Sequence, residues 1–558
     1  MTKSLFKITR RSINPKQWLV FVLAAGVCSL FAQSKPPFLM PGLGQHHHTI
    51  STTSPEAQRF FDQGLTLVFG YNPDEAALSF GRAAQLDPKA AMPWWGLALA
   101  YGPNLNTVLD APHAKMAHEA IEKARTLAAS GPAYELACIE TLAARFPGVT
   151  ETDLNKPAYE YTKAIRRLTQ RYPDDLDTAT LYAESLMELA LLNRKDGWLF
   201  WKPDGTPGEH TLEIVSTLES VLARDPNHVG ANHFYIHVVE SSPSPAHALP
   251  SANRLRTLVP AIGHLVHMPS HIDARIGDYS SAAKANELAV QADAVYLRES
   301  TLPDAYAATY NRHNLHALGF AAAMAGNFAQ AHHAAEELAN TFLTHPPPHP
   351  GMSTTSDASY VPLMLLRFHQ WHDLLSTPVP EAAEPALLAL WRFSRAMSFA
   401  AVGKPSQAKL EQRQFELAVQ QVPADEEFGY NSTAKILHLA GTMLEAQLAA
   451  AHGDPSQAIE MWKRAVALQD GLSYNEPPDW YYPVRESLGG ELLRAGRYIE
   501  AERVFREDLQ RNPRNGWSLF GLWRSLQGQS RTVEAQWVRQ QFEEAWKAAD
   551  VDLADNSL

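Results

Sequence analysis

An all-α chain built from repeated helix pairs is the fold this sequence predicts, and three observations predict it. A motif of about 34 residues recurs from Ala57 to near the C-terminus. Small Ala and Gly residues alternate with aromatics at helical rather than strand spacing. The composition, 45% hydrophobic and 19% charged, is that of an ordered soluble protein. At 558 residues the chain exceeds what one growing core accommodates, so several domains or an elongated array are expected.

The N-terminal segment, residues 1–32, reads as an export signal. Lys3, Lys7, Arg10, Arg11 and Lys16 form a basic region, and residues 18–32 an apolar one, with cleavage expected near Ala32. The apolar run is shorter than the ~20 residues of a spanning helix. The mature chain is therefore expected to be periplasmic or secreted, with no transmembrane span; an uncleaved anchor is the alternative. Removing residues 1–32 takes away those five positive charges and no acid, moving the formal charge from −12 to −17. Nucleic acid is not expected as a partner, because phosphate binding needs a basic surface. Cys138 would then be the only cysteine. That excludes an internal disulfide and Cys-x-x-Cys-His attachment of haem c.

Residues 33–56, rich in Pro, Gly, His, Ser and Thr, are expected to be an exposed leader that includes His46-His47-His48. Ser54 followed by Pro55 marks the first helix start. Residues 57–343 form an N-terminal subarray. Its first unit carries Tyr71-Asn72-Pro73 at the turn, then Ala76, Phe80, Ala83 and Leu86-Asp87-Pro88. Later turns are Gly277-Asp278-Tyr279 with Ala282 and Gly326-Asn327-Phe328 with Ala331. Residues 196–209, with Trp198, Phe200 and Trp201, interrupt the period and are expected to fold back on the array or form a lid. The Pro-rich residues 344–356 cannot be helical and link the subarrays. In the C-terminal subarray, residues 357–548, Gly453, Ala458, Trp462 and Ala465 repeat the motif. Gly496-Arg497-Tyr498, Ala501 and Phe505 do so again, and residues 549–558 are a tail.

These units resemble the tetratricopeptide repeat, a helix-turn-helix of about 34 residues. The resemblance covers nearly all of the chain after the signal. It implies a right-handed superhelix (an α-solenoid) in which each pair buries its apolar face on its neighbours. Phe80, Trp94, Trp462 and Phe505 would fill the spaces between units. It also implies a concave groove for a protein or peptide, lined by positions two, five and nine of each first helix.

Nine of the 23 histidines lie between residues 228 and 316, and most are spaced three or four apart, on one helix face. With Gly277 and Gly326 as turn residues, His264, His267 and His271 take groove positions two, five and nine. His313 and His316 take two and five. With Val229 starting the preceding unit, His233 and His237 take five and nine, and Glu240 twelve. A looser alignment adds Glu184 and Trp95 to the same groove, while His228 and His247 leave the register and are expected at the surface. Imidazole is the commonest metal ligand, and a pair four apart is half a divalent site. Helices pack about 8–10 Å apart, so these units can converge on Zn, Cu, Fe or Mn.

No His-Glu-x-x-His, Gly-x-Ser-x-Gly, P-loop or dinucleotide motif occurs, so no nucleotide cofactor is expected. The sequence reads as an exported binding or scaffold protein with a His-rich divalent-metal site in its groove. One alternative is a metal-dependent hydrolase or oxidoreductase on the same scaffold, with Glu240 as candidate base. Tyr235 is a weaker candidate, since it points off the groove. The other alternative is a metal-free scaffold of the cell envelope that binds peptides through imidazole and carboxylate hydrogen bonds.

Overall fold

Where the motif predicts a turn, the backbone adopts a left-handed residue. A computed structural model describes residues 37–148, 155–194, 199–300, 306–344, 355–380 and 384–558. In it φ is +55° at Tyr71, +82° at Gly277, +75° at Gly326, +79° at Gly453 and +70° at Gly496. Gly403, at +73°, adds a turn that the motif reading missed. Such a residue ends the first helix of a pair and reverses the chain. Side chains then start the second helix: Asn72 accepts from Glu75 N, Asp278 from Ser281 N and Asp454 from Gln457 N.

Antiparallel pairs result, among them Pro55–Phe69 with Pro73–Leu86, Arg312–Met324 with Phe328–Thr344, and Arg485–Arg494 with Tyr498–Arg511. The fold is an all-α stack of helix pairs. Among the described residues the strands are the two-residue partners Glu427–Phe428 and Asn431–Ser432. Phe80 lies between Gly64 and Gly96, where an added Cβ would stand 2.7 and 2.4 Å from its ring. Phe505 sits in the same way between Gly489 and Gly521, at 2.3 and 2.1 Å. The repeat thus places a large ring between two residues without side chains, and any larger residue would have to displace it. Trp462 is buried as expected, whereas Trp94 is only partly so and its neighbour Trp95 takes the interior place.

The hydrophobic interior forms one cluster from Leu43 to Tyr310 and a second from Leu315 to Leu558. The division coincides with a π-helical turn, Ala307–Asn311, and not with the Pro-rich link. Gly277 is doubly constrained: besides its φ, a Cβ there would lie 2.0 Å from Pro513 O. A C-terminal repeat therefore rests against the turn that follows the histidine helices. Residues 549–558 are no free tail, since Asp550 accepts from Phe328 N and Ala329 N and Leu558 is buried.

The described part of the insert, residues 199–209, does fold back. Phe200 is buried, and Trp201 Nε1 donates to Val238 O at 2.7 Å. Among the described residues no helix is long and apolar enough to cross a membrane. The expected export signal at residues 1–32, residues 33–36, Trp198 and residues 345–354 lie outside the described residues.

Candidate metal centre

Three segments carry the histidines. The Val229–Glu240 helix presents His233 and His237. Gly263–His267 and Pro269–Ile276, joined through Met268, present His264, His267 and His271. The π-helical turn at Ala307–Asn311 sets Tyr310 against His264, their rings 4.9 Å apart, and His313 against His267 at 4.6 Å; such turns recur at functional sites. Gly263 permits the close approach of the middle segment, because a Cβ there would lie 1.9 Å from Asp293 Oδ1.

Two triads form. In the first, His233 Nε2 lies 3.1 Å from His264 Nε2, and a nitrogen of His237 comes within 4.8 Å of both partners' ligand atoms. In the second, His267 Nε2 lies 2.7 Å from His271 Nε2 and 3.0 Å from His313 Nε2. The triads adjoin, with the His237 and His271 rings 5.6 Å apart and those of His264 and His267 5.8 Å apart.

The other ring nitrogens show why the Nε2 atoms are available. His233 Nδ1 lies 2.6 Å from Phe69 O, an acceptor only, so that nitrogen carries the proton and Nε2 the lone pair. Asn286 Nδ2 donates to Ala282 O, which turns its Oδ1 toward His267 Nδ1 at 2.5 Å and fixes the same tautomer. His271 Nδ1 faces Glu240 Oε2 at 2.6 Å and Glu476 Oε2 at 3.0 Å. An acceptor behind the ring, as at His233, His267 and His271, is the outer shell of histidine metal sites. His237 Nε2 and His264 Nδ1 are buried and have no hydrogen-bond partner among the described residues.

Burial pushes His233, His264 and His267 well below the usual imidazole range, and the neighbouring rings push further. His313 falls to about 3 for the same reasons. Neutral imidazoles are the form that binds metal. Burial also opposes a charge on His271, but Glu240 and Glu476 outweigh it and hold the ring at about 10, so an ion would have to displace the proton on its Nε2. Burial would raise Glu240, yet His271 and His237 hold it at about 2. Burial raises Glu476, and its repulsion from Glu240 adds to this.

The histidines of the expected site are thus interior residues rather than the lining of an open groove. His233, His237, His264, His267 and His271 are all buried and His313 partly so. The first and last parts of the chain close the site, through Phe69, Tyr71 and Glu476. His316 joins neither triad; its ring packs on Tyr360, centroids 4.5 Å apart. Glu240 stands behind His271 and His237 (3.8 Å) rather than among the converging Nε2 atoms. Glu184 lies instead beside Glu188 and Arg145, and Trp95 against Phe61. Tyr235 points away, as expected, to Glu219.

Sequence reasoning missed Glu476, Tyr71, Tyr310 and Asn286. Glu476 had one available signal, the non-helical Tyr474-Asn475-Glu476-Pro477-Pro478-Asp479 stretch between two repeats. The peptide and groove positions that place the others are visible only in three dimensions.

No protein-family model and no curated protein matches this chain. Among solved structures it is similar to the human IFIT1 dimer with m7Gppp-AAAA: 12% identity, 90% of this chain and 92% of that one, TM-score 0.31. It is also similar to the APC/C hetero-tetramer Cut9-Hcn1, with 13% identity, 89% and 80% coverage and a TM-score of 0.33. A third is Naa15/Naa10 bound to HypK-THB, with 13% identity, 88% and 70% coverage and a TM-score of 0.22. The helix pairs themselves make the chain an all-α repeat fold.

A second histidine cluster lies in what was expected to be exposed leader. His46 Nε2 and His228 Nε2 each stand 3.0 Å from Asp177 Oδ1, and His48 Nδ1 stands 2.7 Å from Oδ2. His228, expected at the surface, is buried, while His247 is exposed. His228 caps its helix: its Nδ1 accepts from Ala231 N at 3.2 Å, so Nε2 carries the proton and donates to Asp177. The leader is tied down because Asp177 collects three imidazoles.

Beside the second triad lies a cavity of about 700 Å³ that reaches His267 and His271. Residues 472–480 form one wall and the insert at 201–205 another.

Proposed function

We propose that this chain is an exported metalloprotein that holds a pair of divalent transition-metal ions, one in each histidine triad of a helical-repeat scaffold. The observation that carries the reading is the meeting of His267, His271 and His313 through Nε2, with acceptors behind His267 and His271. Without an ion, His237 Nε2 stays buried and unpartnered, which is unfavourable by about 1–3 kcal/mol. An all-imidazole donor set favours copper, zinc or iron over manganese. The adjoining cavity favours the catalytic form of this reading over a purely structural ion. A triad leaves a coordination position for a ligand, and an ion there would polarise it or activate water. Within this chain the residues hold and orient: Phe69 O, Asn286, Glu240 and Glu476 set ring tautomers, and Tyr71 and Tyr310 close the site. The interior position of the histidines counts against an open peptide groove at these helices.

The test is metal analysis of full-length protein prepared without a histidine tag. About two ions per chain are expected. Fewer than about 0.2 per chain after adding zinc, copper, iron and manganese in turn would exclude the reading. N-terminal sequencing of the mature protein should begin near Gln33 if the signal is cleaved, and an intact Met1 would contradict export by that route.

A further inference from the structure

The 700 Å³ cavity has the size of a small-molecule site. Trp201, Tyr279, Phe320, Tyr474 and Trp480 give it aromatic walls, and His267 and His271 stand at one end. Its charges are nearly all spoken for. Asp470 is bound by Arg485 and Arg511, and Asp508 by Asn512, Asn515 and Ser518. Asp479 takes Asn431 and Asn475, Asp204 closes its own turn on Thr206 N beside Lys202, and Glu476 faces His271.

Arg275 is the exception. Its Nε donates to Glu240 O at 2.9 Å, which fixes the guanidinium on the cavity wall. The group lies 5.9 Å from the Tyr474 ring centre and forms no ion pair among the described residues. The Tyr474 hydroxyl is buried there and has no hydrogen-bond partner among the described residues. A half-buried guanidinium that forms no ion pair and a buried phenol without a partner call for an anion with two oxygens.

We propose that the cavity binds a small organic anion with an aromatic body, its carboxylate held by Arg275 and Tyr474 and its other end directed at the His267–His271–His313 triad. The last element rests on the metal reading; the anion site does not. An aromatic body fits walls of rings, and the carboxylate gives Arg275 the ion-pair partner it lacks.

Benzoate and benzamide, alike in shape and different in charge, test this by calorimetry on the full chain, both metal-loaded and chelated. Benzoate should bind at least about tenfold more tightly than benzamide. Arg275→Gln should abolish that preference while metal content is unchanged, and Tyr474→Phe should weaken benzoate a few-fold by removing one hydrogen bond. Equal affinities, or benzoate binding to Arg275→Gln as to wild type, would overturn the proposal, the latter because the carboxylate would then sit on the metal. Binding of neither compound would overturn it too. An Arg275-dependent preference in protein that takes up no metal would support the anion site and exclude the metal reading alone.

Discussion

The two histidine clusters are made of the same side chain and are built to opposite ends. Around Asp177 the carboxylate stands where three imidazoles meet, so the rings have a counter-charge within the protein. At the interior triads the carboxylates of Glu240 and Glu476 stand behind His271, at Nδ1, and leave the Nε2 meeting point without a counter-charge. The difference is where the acid stands, among the rings at Asp177 and outside them at the triads. A cluster with the acid at its centre ties two parts of the chain together, whereas one with the acid outside leaves the meeting point of the rings open to a cation.

The sharpest way to break this comparison is to remove one ligand from the triads. His267→Ala takes away the nitrogen that both His271 and His313 face. Metal content should fall from about two ions to about one, and the loss of a tightly held ion should lower stability by about 4 kcal/mol. Metal analysis with thermal melts, with and without chelator, reads both. Unchanged metal content in this variant would mean that the second triad holds none.

Asp177→Asn should do the reverse. Metal content should stay as in wild type, while breaking the buried cluster costs about 3–5 kcal/mol and exposes residues 37–54 to protease. A fall in bound metal would show that the clusters are one system. The pH response separates them as well. Burial lowers His46 and His48, but Asp177 outweighs it and raises both; these imidazoles in turn hold Asp177 well below the carboxylate range, although burial opposes this. The raised histidines stabilise fully below the unfolded value of about 6.5 and lose this as pH rises through the folded value. The depressed Asp177 stabilises above about 3.9 and loses this as pH falls through its folded value. Leader protection, followed by limited proteolysis, should be strongest between about pH 4 and 6.5 and weaken toward alkali. Metal should behave oppositely, leaving as protons claim the imidazoles.

How much of this could be read in the sequence follows from the range of each interaction. The left-handed turns at Gly277, Gly326, Gly453 and Gly496 and the caps at Asp278 and Asp454 are local, and the motif shows them. His264, His267 and His271 share a face by spacing alone, and the repeat register sets them with His233, His237 and His313, which the structure divides between two adjoining triads. The same register fails at His316, whose ring packs on Tyr360 instead. It fails at His228 too, since a helix cap and a partner 51 residues away decide that ring's place. Glu476 reaches His271 across 205 residues of chain, the difference of their numbers. No repeat frame carries such a contact.

Gly263→Ala offers a finer cut, through the backbone rather than a ligand. The new Cβ would meet Asp293 Oδ1, whose carboxylate is held by Tyr306 and Asn314, so the His264 segment must move instead. Overpacking of this kind costs about 1–3 kcal/mol. The first triad should lose its ion and the second keep it, leaving about one ion per chain. Retention of both ions would mean that His264 is dispensable and that the first triad is not a ligand set.

The mildest test concerns the acids behind the ring. Glu476→Gln keeps the shape of the side chain and removes its charge, while Glu240 still holds His271 Nδ1 at 2.6 Å. Removing one such outer partner weakens metal binding by about tenfold, the lower end for these groups. A competition titration against a chelator of known affinity would measure it. The folded stability of the chelated protein should hardly change, because Glu240 remains beside His271. That split distinguishes an outer-shell acid from a structural one. If affinity holds and the chelated protein is destabilised instead, Glu476 serves to close residues 472–480 over the cavity. The two clusters would then differ less than their geometry implies, since in both the acid would be acting as a tie.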